Sequence, residues 1–218
     1  MERGNPLSAV ESIWADLYLE TPALIDLADD ITASFELLRA SLQRGGQVLV
    51  CGNGGSASDS EHIAGELAKP CALVRPLSSQ QREALIAEGD DGYLADNLQQ
   101  GLPVWPLVSQ AALITAIAND QGGDLIFAQQ VMAYGRAGDV LWALSTSGNS
   151  TNVVHALRVA KSLGLKTLGF GGPAASELSE ICDVVVGLPG ANVPAIQHSH
   201  QLVYHALCLA LEAEWYSS

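Results

Sequence analysis

Asp139-Val140-Leu141-Trp142-Ala143-Leu144-Ser145-Thr146-Ser147-Gly148-Asn149-Ser150 runs from apolar residues straight into hydroxyls and a glycine. It reads as a buried strand, Asp139–Leu144, turning into a helix over Asn149–Leu163. The same unit recurs downstream. Lys166–Phe170 pairs with a helix over Ser176–Ile181, and Val184–Leu188 with a last helix from about Ala195 to Trp215. Upstream, Gln47–Cys51 is a short apolar run feeding Gly52-Asn53-Gly54-Gly55-Ser56, with a helix expected over Ser58–Ala68. Val104–Val108 adds a further strand, followed by helical stretches Gln110–Ala118 and Leu125–Tyr134. Alternation of this kind predicts an α/β fold, a doubly wound parallel sheet with helices on both faces.

Two regions flank or interrupt the pattern. Residues 7–43 repeat apolar positions at three- and four-residue steps (Val10, Ile13, Trp14, Leu17; then Leu27, Ile31, Phe35, Leu38), and Pro22 divides them into two helices. Residues 69–103 carry Pro70, Pro76 and Pro103 around a polar stretch, Gln80 to Gln100, read as helical. This is expected to be an insertion, with Leu85, Ile86, Tyr93, Leu94 and Leu98 able to dock on a neighbour. The chain is expected to form a single domain over 1–218.

Composition bounds the partners. The chain has 218 residues, 10 Lys+Arg against 24 Asp+Glu, a net charge of −14 and 48% hydrophobic residues. That hydrophobicity excludes disorder. The acidity argues against nucleic acid and against anionic membranes, both of which need basic surfaces. A small anionic ligand remains open if backbone N–H groups and hydroxyls bind it. Cys51, Cys71, Cys182 and Cys208 show no CxxC spacing and sit in or beside apolar runs, which suits reduced thiols in the cytoplasm. The N-terminal residues lack a signal-peptide pattern, and no apolar run is long enough to span a membrane.

Four constellations carry chemistry. Gly52–Ser56 lets the backbone approach a ligand in front of a helix N-terminus, yet it is neither a Walker A loop nor GxGxxG, and alone it is compatible with a plain turn. Ser145–Ser150 sets four hydroxyls at one strand end, where open α/β sheets bind ligands; N-capping accounts for one or two of them, and phosphate binding for all. His62 and Glu66, spaced i, i+4, share one helix face as metal ligands, as a base with its positioner, or as a solvated pair. Gln197, His198, His200, Gln201 and His205 crowd the last helix. Spacing does not choose among them, because Gln197 and His205 stand about 12 Å apart along the axis. His155 reads as a surface histidine.

Taken together these motifs resemble the sugar isomerase (SIS) family, most closely its phosphoheptose (sedoheptulose 7-phosphate) isomerase branch. The residues that carry the resemblance are GNGGS at 52–56, His62 and Glu66, A-x-x-N-D ending at Asn119-Asp120, GDVL at 138–141, STSGNS at 145–150, and Gln197, His200 and His205. It implies a flavodoxin-like SIS fold, a homotetramer with active sites between subunits, a sugar phosphate substrate, and zinc. It implies phosphate and substrate contacts at Asn53, Gly54, Gly55, Ser56, Asn119, Asp120, Ser145, Thr146, Ser147, Ser150 and Gln197. The implied metal ligands are His62, Glu66, Gln197 and His205, with Glu66 as general base and His205 as general acid. Two departures stand out. Ala195 and His198 replace the Arg and Glu of the family's R-I-Q-E, and segment 69–103 is longer than in the heptose enzymes. The expected activity is aldose–ketose isomerisation of sedoheptulose 7-phosphate through an enediol. The alternatives are another sugar phosphate, or a non-catalytic adaptor of the type that binds the replication initiator; that branch lacks counterparts of Glu66 and His205.

Overall fold

The structure is a computed structural model that describes residues 8–217, so the N-terminal stretch through Leu7 lies outside it. Five strands form one parallel sheet in the order β2-β1-β3-β4-β5: β1 (Val48–Gly52), β2 (Val104–Pro106), β3 (Val140–Leu144), β4 (Lys166–Gly171) and β5 (Val184–Gly187). This is the doubly wound parallel sheet that the alternating pattern predicts, in the flavodoxin-like order that the family resemblance implies. All five residues of β1 and of β3 are buried, as expected of central strands covered on both faces. Val48, Val50, Val140, Trp142 and Leu144 face one core; Leu49, Cys51, Leu141 and Ala143 face the other.

The first core is covered by α1 (Ala9–Glu20), α2 (Ala28–Gln43), α3 (Gly55–Ala68) and α10 (Val193–Tyr216). Ser8 opens α1 with a capping box, its hydroxyl taking the Glu11 N–H. Pro22 starts a 3-10 turn, Pro22–Leu27, that separates α1 from α2. The second core is covered by α7 (Ala128–Tyr134), α8 (Thr151–Ser162) and α9 (Glu177–Ile181), with α6 (Ala111–Asp120) beyond β2.

Two expectations need correction. The helix after β1 begins at Gly55, three residues before Ser58. Gly54 takes φ 57°, a left-handed conformation that reverses the chain within one residue, so no longer loop is needed. The polar stretch Gln80–Gln100 is also not one helix. It forms α4 (Ser79–Ala87) and α5 (Tyr93–Asn97), broken by Gly89 and Gly92 at φ 98° and 106°. Asp90 caps α5 by accepting from the Leu94 and Ala95 N–H groups, while Arg82 binds back to Asp96 and the Ala95 carbonyl. Ile86, Tyr93, Leu94 and Leu98 stay exposed on this hairpin, and Leu85 is half-buried.

Candidate active site

The order of strands turns back between β1 and β3, and both glycine- and hydroxyl-bearing loops leave the carboxyl ends of these two strands. Open sheets place their ligand crevice at this point. After β1, Gly55 is the first residue of α3, and a Cβ there would come within 2.3 Å of the Gln197 amide. The glycine therefore lets α10 pack against the start of α3. Ser56 is buried in the same turn. Asn53 and Asn152 exchange two amide hydrogen bonds, of 2.8 and 2.9 Å, which tie this loop to the start of α8.

After β3, Ser145 Oγ lies 3.1 Å from Ser150 Oγ and 3.5 Å from Ser147 Oγ. Ser150 occupies the N-cap of α8 but makes no capping hydrogen bond; its hydroxyl turns to Ser145 instead. Ordinary capping therefore does not account for it. Thr146 stands beside them, half-buried. Gly148, at φ 68°, passes so close to Ser176 that a Cβ would clash with its hydroxyl.

His62, Glu66 and His205 converge at the far end of α3. Their ligand atoms all lie within 4.8 Å of one another. His62 Nε2 is 3.2 Å from Glu66 Oε1 and 3.3 Å from His205 Nε2. The two helices run side by side in the same direction: Gln197 meets Gly55, Gln201 meets Asp59, and His205 meets His62. One chain thus supplies the trio without a partner subunit. Gln197 is on the same face but sits at Gly55, seven residues and about 10 Å up α3 from His62.

Hydrogen bonds set the chemistry of the trio. His205 Nδ1 is 2.8 Å from the Gln201 carbonyl. A carbonyl only accepts, so Nδ1 carries the proton and Nε2 offers its lone pair toward His62 and Glu66. The Cys71 thiol donates to Glu66 and holds its carboxyl below the usual range; burial opposes this, and Lys69, 3.8 Å away, and His62 reinforce it. Glu66 is therefore ionised at neutral pH. Burial, together with the hydrogen bond to Glu66, pushes the Cys71 thiol up to about 12. Two imidazole nitrogens and a carboxylate oxygen within a few ångströms form a donor set that fits a borderline cation such as zinc.

Other residues singled out by sequence fall elsewhere. Asn119 and Asp120 end α6, exposed, and hydrogen-bond to each other rather than to either loop or the trio. His198 is exposed, and His155 makes a surface pair with Asp124. His200 is fully buried with Nε2 at the Gly171 carbonyl, and burial keeps it neutral. Sequence reasoning missed Asp59, Cys71, Asn152 and Tyr204. Asp59 carried a signal: a carboxylate one turn before His62 on the face that buries Ile63 and Leu67 has to find a partner.

Comparison with known proteins agrees with this arrangement. The SIS domain model matches residues 21–91 and 94–172, interrupted only at Gly92 and Tyr93, where α5 begins. The chain is 38% identical over 187 residues to the phosphoheptose isomerase of Rhodospirillum rubrum, covering 86% of this chain and 87% of that one. It is 39% identical over 173 residues to that of Burkholderia pseudomallei, covering 79% and 76%. Its structure matches the phosphoheptose isomerase of Neisseria gonorrhoeae with a TM-score of 0.71 and 29% identity, over 93% of this chain and 96% of that one. The chain belongs to the SIS domain family, in its phosphoheptose isomerase branch.

Proposed function

We infer that this protein is a phosphoheptose isomerase that interconverts sedoheptulose 7-phosphate and a heptose 7-phosphate aldose. The observation that carries the reading is the convergence of His62, Glu66 and His205 at one end of α3, with the serine loop and the glycine turn at the other. The separation of about 10 Å along α3 suits an extended sugar phosphate held by its two ends. Ser56, Ser145, Thr146, Ser147 and Ser150 receive the phosphate through hydroxyls and N–H groups, which fits a chain of net charge −14. Asn53, Gly54, Gly55 and Gln197 stand with them at this end, where they contact the substrate on this reading. Asn119 and Asp120 are assigned to substrate by the family motif alone.

Glu66 removes a proton from C1 while His205, entering the step with a second proton on Nε2, gives that proton to the carbonyl oxygen at C2. The enediol then returns its C1 hydroxyl proton to His205 and takes the Glu66 proton at C2, which leaves the aldose. His62, Glu66 and His205 are the residues that would hold zinc, and a bound ion would polarise the carbonyl and stabilise developing negative charge on its oxygen. Gln197, held at Gly55 about 10 Å up α3, stands apart from this trio. The site lies in the cytoplasm on this reading, in keeping with four free cysteines. Among the described residues, no helix is long and apolar enough to cross a membrane.

Purified protein incubated with ketose phosphates of five to seven carbons should form aldose fastest from sedoheptulose 7-phosphate. No turnover of any of them would overturn the assignment and favour the adaptor reading. Elemental analysis of protein prepared without chelator should find zinc, and chelation should slow turnover; unchanged activity in metal-free protein would leave Glu66 and His205 as a bare acid–base pair.

The chain should assemble as a homotetramer. Val203, Leu207 and Leu211 of α10 are already buried by their own chain. The apolar surface left over includes Leu19 and Ile25 at the N-terminal helices, Trp105 on the edge strand, and the α4–α5 hairpin. A stable monomer in light scattering at micromolar concentration would refute this. Replacing residues 78–101 by a short Gly/Ser linker should keep the fold and shift selectivity among sugar phosphates. Loss of the oligomer instead would make the hairpin a subunit brace.

A further inference from the structure

Tyr204 precedes His205 on α10, and its side chain is fully buried between α10 and α3. Its hydroxyl lies 3.1 Å from His62 Nδ1 and 3.4 Å from Asp59 Oδ1. Asp59 is 2% exposed, accepts one further hydrogen bond from Gln201 at 3.3 Å, and leaves Oδ2 with no partner. Three side chains thus line up inward from the trio: imidazole, phenol, carboxylate. The order has a chemical consequence. The nitrogen of His62 that faces Glu66 and His205 is Nε2. It can bind a cation only as a lone pair, which requires the ring proton on Nδ1. That proton needs an acceptor, and the Tyr204 oxygen is the group in reach. The phenol can accept because its own proton has a separate acceptor in Asp59, which as a carboxylate can only accept.

We propose that Asp59 and Tyr204 are positioning residues that fix the His62 ring and its Nδ1–H tautomer, and so make Nε2 a competent ligand for a divalent cation. The inference rests on the metal-binding reading of His62, Glu66 and His205. His205 reaches the same state by another route, since the Gln201 carbonyl holds its Nδ1 proton. Both imidazoles therefore turn lone pairs to one point, one oriented by backbone and the other by a buried side-chain relay. Outer hydrogen bonds of this kind typically change metal affinity by about 10–100-fold. The Tyr204→Phe change is suited to the test because it removes one oxygen and keeps the ring that packs in the core.

The experiment titrates zinc into chelator-stripped full-length protein against a chromophoric competing chelator, for wild type, Tyr204→Phe, Asp59→Asn and, as the floor, His62→Ala. In parallel, nitrogen-15 spectra of the histidine rings are recorded on the zinc-loaded proteins. Tyr204→Phe and Asp59→Asn are each expected to weaken zinc binding about 10–100-fold. The His62 Nδ1–H should show the shift of a hydrogen-bonded group in wild type and lose it in Tyr204→Phe. Wild-type affinity in Tyr204→Phe, alongside lost binding in His62→Ala, overturns the proposal and leaves the metal site standing. A wild type that binds no zinc overturns the metal reading, and the proposal with it; a zinc-loaded Tyr204→Phe whose His62 Nδ1–H signal is unchanged refutes the positioning role alone. If Tyr204→Phe fails to fold, Asp59→Asn with the same two readouts carries the test.

Discussion

Glu66→Gln should lower turnover by about 10²–10⁴-fold with the fold and the assembly intact, and His205→Ala should do the same. The expectation for Glu66 follows from its surroundings. The carboxylate is held ionised by the Cys71 thiol, by Lys69 and by His62, so a proton acceptor is ready at neutral pH. Gln keeps the shape and removes the basicity. It also removes the anionic oxygen that faces His62, so both the proton-transfer and the cation-binding roles are lost in one substitution. For His205 the reactive nitrogen is Nε2, since Nδ1 is committed to the Gln201 carbonyl. Neither side chain closes the core. Glu66 is partly exposed, and His205 stands at the edge of α10 opposite the exposed ring of His62. Circular dichroism and light scattering should therefore match the wild type. Near-normal turnover in either variant defeats the assigned roles.

The parts of this site legible in the sequence are those fixed by local rules. A strand that is apolar throughout and ends in Ser145-Thr146-Ser147-Gly148 can only be central, with its loop at the carboxyl edge. His62 and Glu66 had to share a helix face. The pairing of His205 with His62 was not legible, because it depends on α3 and α10 running side by side in register, which Gly55 permits by letting Gln197 close in. Helix periodicity gives the face and says nothing of the register between two helices. The same gap hid Tyr204, which reads as one more apolar residue on an apolar helix until Asp59 is brought against it. The break within Gln80–Gln100 was in principle readable. Gly89 and Gly92 bracket Asp90, a good capping residue, and helix-compatible flanks outweighed them.

Truncating either partner of the Arg75–Glu212 pair should destabilise the fold by about 3–5 kcal/mol, more than any other polar substitution. The two side chains are fully buried and joined at 2.8 Å. Glu212 on α10 also accepts the N–H groups of Cys71, Ala72 and Leu73, at 2.7 to 2.9 Å. Burial would raise its carboxyl, yet these three donors and Arg75 together hold it below the ordinary value. Arg75 Nη1 and Nη2 donate to the carbonyls of Leu67 and Glu66, the last turn of α3, and its guanidinium lies 5.3 Å from the centre of the Tyr216 ring. The pair therefore clamps three segments: the end of the helix that carries Glu66, the chain leaving it, and the helix that carries His205. Glu212→Gln strands a buried cation, and Arg75→Met strands a buried anion. Denaturant unfolding at one fixed protein concentration should show the loss in each, because assembly couples to apparent stability. The double variant should cost less than the sum, since no charge is then left alone. The sign of the pH dependence is also set. A carboxyl depressed in the folded state contributes its full stability above the unfolded carboxylate value, and loses it as pH falls through the lower folded value. Wild type should thus lose stability on acidification more steeply than Glu212→Gln. Equal slopes would mean that the Glu212 charge adds nothing to the fold, and that the clamp acts through its hydrogen bonds alone.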